Sequence, residues 1–337
     1  VSLRFEVEAF GEVGGLVVLA DANGAELARV PVLSVVRSVS RISAEELVVR
    51  STSSLDSQGA VVDLKLKNKS RHDGLALPFN FIARDGRKAN PTLNRFQTTV
   101  CDLAETGYRV IDKAGVPTLQ IAAKLFEPMT TWDLCEISVL IDADGDKLAD
   151  QELVGSKQDH LEGLTAKTYA SMLLDVNEAK RLRKAYDVAV MTPRKPEEKA
   201  PVLDFKSAIV DLQPMQAFEH SSIAIVEVPL ASVRLRSNSG LSVRIATSAQ
   251  TGSAIEPDDF FSTNPKHWAL LNVKDSGASF VGLPESIALK AGESKTLSFV
   301  KGGDQGRLLM LYPDGQSVFG GLSSDGQVEV LTPVYRP

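Results

Sequence analysis

Apolar and polar positions alternate along much of this chain. Val62, Leu64 and Leu66 are interleaved with Asp63, Lys65 and Lys67, the period of a strand with one buried and one wet face. Phe5 and Val7 alternate in the same way with Arg4, Glu6 and Glu8. Ile137 to Ile141, Ile223 to Val228 and Leu308 to Leu311 are apolar runs of strand length. Turn signals such as Asp21-Ala22-Asn23-Gly24, Asp85-Gly86 and Asp314-Gly315 punctuate the strands. Short strands with Gly, Asn and Asp turns predict a mostly β protein. They point to tandem antiparallel β-sandwich domains, of fibronectin type III or immunoglobulin-like kind, rather than a parallel α/β sheet.

One segment breaks the pattern. From Asp175 to Tyr186 the chain is rich in good helix formers. Asp175 is the expected N-cap, with Glu178 three residues later completing a capping box. Ala179, Leu182, Ala185 and Tyr186 fall at helical spacing and are expected to face the body of the protein. Lys180, Arg181, Arg183 and Lys184 then form a solvated face. The stretch Thr192 to Pro201 reads as an exposed, Pro-punctuated loop. Boundaries are expected near Asn94, after the Lys88-Ala89-Asn90-Pro91 loop, and near Val233. They divide the chain into a β-sandwich domain over 1–94, a second over 95–233 that carries the helical insertion, and a C-terminal sandwich over 234–337.

The length of 337 residues suits about two or three domains. Hydrophobic content of 43%, charged content of 24% and a mean hydropathy of −0.02 place the chain among ordinary globular proteins and outside the disordered range. A net charge of −6 argues against non-specific nucleic-acid binding, which needs a basic face. No apolar run approaches the roughly 18 residues of a membrane-spanning helix. The chain opens at Val1 with neither Met nor a leader, which predicts a processed fragment. Cys101 and Cys135 leave two readings open, a disulfide of an oxidising compartment or two buried free thiols.

The most distinctive stretch is Asp142-Ala143-Asp144-Gly145-Asp146-Lys147-Leu148-Ala149-Asp150, directly after the apolar run that ends at Ile141. Its carboxylates stand at relative positions 1, 3, 5 and 9. Alternate carboxylates in a tight loop can turn several oxygens toward one point, as a hard cation such as Ca²⁺ requires. Without an ion the negative charges repel one another. The expected ligands are Asp142, Asp144, Asp146 and Asp150, with Leu148 offering its backbone carbonyl at position 7. The alternative is a solvated acidic turn between strands. Lys147 stands where an EF-hand has its turn glycine, and Leu153 where the bidentate Glu belongs. An EF-hand switch is therefore not expected; a structural ion pinning a strand connection is.

Standard catalytic motifs are lacking: no His-Glu-x-x-His, no phosphate-cradling Gly-x-x-x-x-Gly-Lys, no Gly-x-Ser-x-Gly elbow. Gly321 to Gly326 comes near the elbow but reads as a hairpin turn. His72, His160, His220 and His267 are scattered, without ligand spacing. His220 beside Ser221 has no identifiable orienting carboxylate. Trp132 and Trp268 are expected at the core or a domain edge rather than on a contact surface. No catalytic residue and no cofactor other than Ca²⁺ is expected.

The segment Thr118 to Ala122, then Thr131-Trp132, then Ile137 to Asp146 resembles the accessory β-sandwich region that follows the catalytic domain in bacterial secreted subtilisin-like serine proteases. The likeness lies in a core strand running into an Asp-x-Asp-Gly-Asp loop, matched here through Asp150 with Lys147 in place of a glycine. Leu75 to Arg84 and Gly306 to Asp314 resemble strands of the same modules. The protease's own catalytic motifs are absent; Ala170-Ser171-Met172 is only an echo of the serine motif. The resemblance implies a secreted, non-catalytic C-terminal region, with an upstream catalytic domain of the same polypeptide as its partner. Its role would be to stabilise or target that domain. The competing expectation is a stand-alone secreted adhesin or surface binding module that contacts an extracellular protein or surface ligand.

Overall fold

The computed structural model describes residues 11–21, 23, 26–36, 39–50, 60–86, 101–129, 131–157, 169–193, 199–218, 220–235, 240–251, 254–255, 259–261, 267–273, 280–302, 306–315 and 325–335. The alternation at Arg4 to Glu8, His160, the Lys88 to Pro91 loop, the Gly321 to Ser324 stretch and the centre of the Thr192 to Pro201 loop lie outside them.

In chain order the first strands are β1 (Gly11–Ala20), β2 (Glu26–Val36), β3 (Ile42–Arg50), β4 (Ala60–Asn68) and β5 (Gly74–Arg84). They are followed by β6 (Leu103–Lys113), β7 (Val116–Met129), β8 (Cys135–Asp142), β9 (Gln151–Lys157) and β10 (Tyr169–Asp175). Helix α1 (Val176–Met191) precedes β11 (Ile209–Pro214), β12 (Gln216–Ala217) and β13 (Ser221–Pro229). Next come β14 (Leu241–Thr251), β15 (Ala254–Ile255), β16 (Asp259–Phe260), β17 (Ala269–Leu271) and β18 (Ile287–Leu289). The last strands are β19 (Ser294–Lys301), β20 (Leu308–Leu311), β21 (Val328–Leu331) and β22 (Val334–Tyr335). The protein is mostly β, as its alternation predicts, and α1 is the single α-helix among the described residues.

Two large sheets and one small one carry the fold. The first runs β11-β10-β9-β8-β14-β15, with β16 and β17 also on β14. The second runs β12-β13-β7-β6-β5-β20-β21, with β18 on β5. A third has the order β19-β4-β3-β22, and β1 pairs with β2 as a separate hairpin. Among the described residues, pairing between these strands is antiparallel except for the short β22–β3 contact.

The second sheet is shared between two cores. Leu119 and Ile121 of β7 and Val226 of β13 pack with Ile137, Val139 and Ile141 of β8 and with Val243 and Ile245 of β14. At its other end, Leu308 and Met310 of β20 and Ala76 of β5 pack with Leu47, Leu64 and Leu66 of the third sheet. Ile137, Val139 and Ile141 are each 0% exposed. Burial of such side chains contributes at most about 1.5–3 kcal/mol apiece. Pairing crosses both expected boundaries: β5, from the 1–94 segment, bonds to β6 and to β20, and β8 bonds to β14. The three segments therefore do not each keep their strands in sheets of their own.

Cys101 and Cys135 form a disulfide, with Cα atoms 5.8 Å apart. It ties the residue two before β6 to the first residue of β8, so it fastens the second sheet to the first. The two sheets also approach closely at Gly155. A Cβ there would lie 2.2 Å from Val226 Cγ1, well inside van der Waals contact.

Helix α1 begins where the capping signal predicts. Asp175 Oδ1 accepts from Glu178 N at 2.9 Å. Glu178 does not complete the box; its carboxylate instead accepts from Arg181 and from Ser207 Oγ. Ala179 and Leu182 pack against Val154, Leu174 and Ala208. Ala185 is exposed and Tyr186 only half-buried, contrary to the expected face. Only the helix's first turns meet the sheet; Val188 and Met191 near its far end are exposed.

Candidate metal centre

The acidic run connects two neighbouring antiparallel strands. The β8–β9 ladder ends at the pair Ile141 and Gln151, and Asp150 N donates to Ile141 O at 2.9 Å. Asp142, the last residue of β8, is thus held at the end of an interior strand, opposite Ser242 of β14, and is 4% exposed. The connector has to turn back within eight residues, and it does so with left-handed backbone at Gly145 (φ 85°) and Lys147 (φ 66°). Lys147 therefore takes the conformation that favours glycine, at the position where the sequence lacks one.

The carboxylates organise the loop. Asp142 Oδ1 accepts from Gly145 N at 2.6 Å and Oδ2 from Lys147 N at 3.0 Å. Asp144 Oδ1 accepts from Asp146 N at 3.3 Å, and Asp146 Oδ1 from Leu148 N at 2.7 Å. Asp150 Oδ2 accepts from Ala143 N at 2.9 Å, tying the end of the connector to its start. One oxygen from each of Asp142, Asp144 and Asp146 falls within 4.8 Å of the others.

Five residues were expected as ligands, and the fold brings the side chains of three together. Asp150 stands outside the cluster and acts through its bond to Ala143. The Leu148 side chain is 67% exposed, so its contribution would come from the backbone alone. A donor set made only of oxygen suits a hard cation such as Ca²⁺ and not a soft one.

The foot of the connector is anchored to its surroundings. Asp150 O accepts from Val176 N at 3.1 Å, joining the loop to the start of α1. Gln151, 0% exposed, donates to Ser232 O and accepts from Arg234 N at 2.7 Å. Arg234 in turn pairs with Asp175 at 2.5 Å. The pair and the Glu178 amide hold the Asp175 carboxyl below its ordinary value, the backbone hydrogen bond being the larger cause.

Other groups singled out in the sequence are structural. Trp132 is 1% exposed, and its Nε1 donates to Phe218 O at 3.2 Å. Trp268 is half-buried with Arg244 above its ring. His72 is exposed in a turn, and His267 packs edge-on against Phe261. Ser221 Oγ is buried without a hydrogen-bond partner, so His220 beside it does not activate it. Ser171 donates to Pro214 O and accepts from Glu227 N within β10.

Sequence reading passed over Arg109, which is 1% exposed on β6. A single Arg in a strand reads as a wet-face residue, so no local signal marks it. No protein-family model, characterised protein or solved structure matches this chain.

Proposed function

We propose that this chain is a non-catalytic, sheet-built accessory region of a secreted protein, fastened by one structural Ca²⁺ in the Asp142–Asp150 connector. The observation that carries the reading is the convergence of Asp142, Asp144 and Asp146 oxygens within 4.8 Å at a strand connection. The Leu148 carbonyl would add a further ligand, and Asp150, which stands outside the cluster, would reach the ion through a water. An ion there offsets the mutual repulsion of the carboxylates. By binding only the folded chain, it stabilises that state by mass action.

The Cys101–Cys135 disulfide supports an extracytoplasmic location, since such bonds persist in oxidising compartments. The motif likeness to modules of secreted subtilisin-like proteases supports a place behind a catalytic domain of that kind, which the region would stabilise or target.

Calcium titrated calorimetrically into chelator-treated protein is expected to bind at one site per chain, and binding should weaken at least about tenfold in Asp142→Asn. Absence of binding by the wild-type chain would overturn the metal assignment. The coding sequence upstream of Val1 tests the partner: a surface adhesin would lack a serine protease domain there.

A further inference from the structure

Arg109 is a buried cation with an unfilled hydrogen-bonding position. Its Nε donates to Gln120 Oε1 at 2.8 Å, and its Nη1 to Pro78 O at 3.1 Å and Pro284 O at 2.9 Å. All three acceptors are neutral. Nη2 is buried with no partner. The guanidinium also lies 4.1 Å from the centre of the Phe79 ring.

Among the described residues, no carboxylate touches it. Glu227 and Glu285 are the acidic groups whose fields reach Arg109. Glu227 is held by Lys113 at 2.6 Å and accepts from Gln120 Nε2 at 2.7 Å. Glu285 lies 3.7 Å from the same Lys113 Nζ, and its side chain is 52% exposed, so solvent screens it. Desolvation, only partly opposed by these two carboxylates, lowers the Arg109 pKa to about 9. The side chain is still cationic at neutral pH. A buried charge without direct compensation is costly.

Arg109 lines a small cavity with Asn80, Tyr108, Asn272, Phe280 and Gly282. Asn80 is engaged with the Phe280 backbone, and the Tyr108 hydroxyl lies 3.3 Å from Asn272 O. The cavity measures about 20 Å³, room for one particle of about the size of a water molecule. Chloride is larger than water, so the cavity walls must yield to admit it, but it carries the charge that the guanidinium lacks. We propose that this cavity is a binding site for one monatomic anion of halide size, held by the Arg109 guanidinium.

Crystals of the wild-type protein soaked in sodium bromide test this directly. An anomalous peak in contact with Arg109 Nη2 is expected; density there without an anomalous signal, as from an ordered water, would overturn the proposal. In solution, the thermal midpoint should rise by about 2 °C for each tenfold increase in chloride above saturation. Sodium gluconate at matched ionic strength and fixed calcium should not reproduce the rise. Arg109→Met, an apolar replacement of similar length, should abolish it. Equal midpoints in chloride and gluconate for the wild type would contradict the site.

Discussion

Asp142 closes β8 with both carboxylate oxygens taking backbone N–H groups of the connector, from Gly145 and Lys147. Asparagine keeps one acceptor and removes the charge. Asp142→Asn is therefore expected to cost about 1–2 kcal/mol in calcium-free urea unfolding, besides weakening the ion. Lys147 offers the opposite case. At φ 66° a non-glycine residue is strained, and the left-handed region costs it about 1–2 kcal/mol. Lys147→Gly should leave calcium-free stability equal or higher by up to about 1 kcal/mol. It should also tighten calcium binding, because it removes a positive charge beside the carboxylates. Weaker binding in that variant would count against an ion among them. The spacing of the aspartates made the loop legible in the sequence, and the missing glycine marked the strained position. The inward side chain of Arg109 was not legible, because its hydrogen-bond acceptors on Gln120, Pro78 and Pro284 lie 11, 31 and 175 residues away along the chain.

Helix α1 shows how far local pattern reaches. Asp175 as N-cap could be read directly, since the cap and its acceptor lie three residues apart. The buried face could not be read beyond Leu182, because which turns touch the sheet depends on where the sheet stops. Asp175→Ala should destabilise the protein by about 1 kcal/mol, measured by urea unfolding. The same group sets a pH dependence. Its folded carboxyl value is depressed, so its contribution is complete above the unfolded carboxylate range and is lost as pH falls through the folded value. Wild-type stability should drop in acid more steeply than that of Asp175→Ala; parallel curves would show that the cap and the Arg234 pair add nothing.

At the scale of the whole molecule, the strands were legible and their partners were not. Val62, Leu64 and Leu66 alternate as a strand whatever lies beside them, whereas the β5–β20 pairing joins residues separated by more than half the chain. A shared central sheet therefore looks, in sequence, like separate units. The disulfide between the two large sheets should contribute about 2–4 kcal/mol. Cys101→Ser with Cys135→Ser is expected to lower the unfolding free energy by that amount. Gly155→Val, which drives side-chain atoms into Val226, should cost at least about 1–3 kcal/mol. Both substitutions act through the meeting of the two large sheets, the frame from which the β8–β9 connector projects. Scanning calorimetry of the wild type and Asp142→Asn, each in chelator and in excess calcium, tests the central claim most directly. A wild-type midpoint several degrees higher in calcium, with little or no rise in the variant, is the predicted result. A wild-type midpoint that calcium leaves unchanged would contradict it.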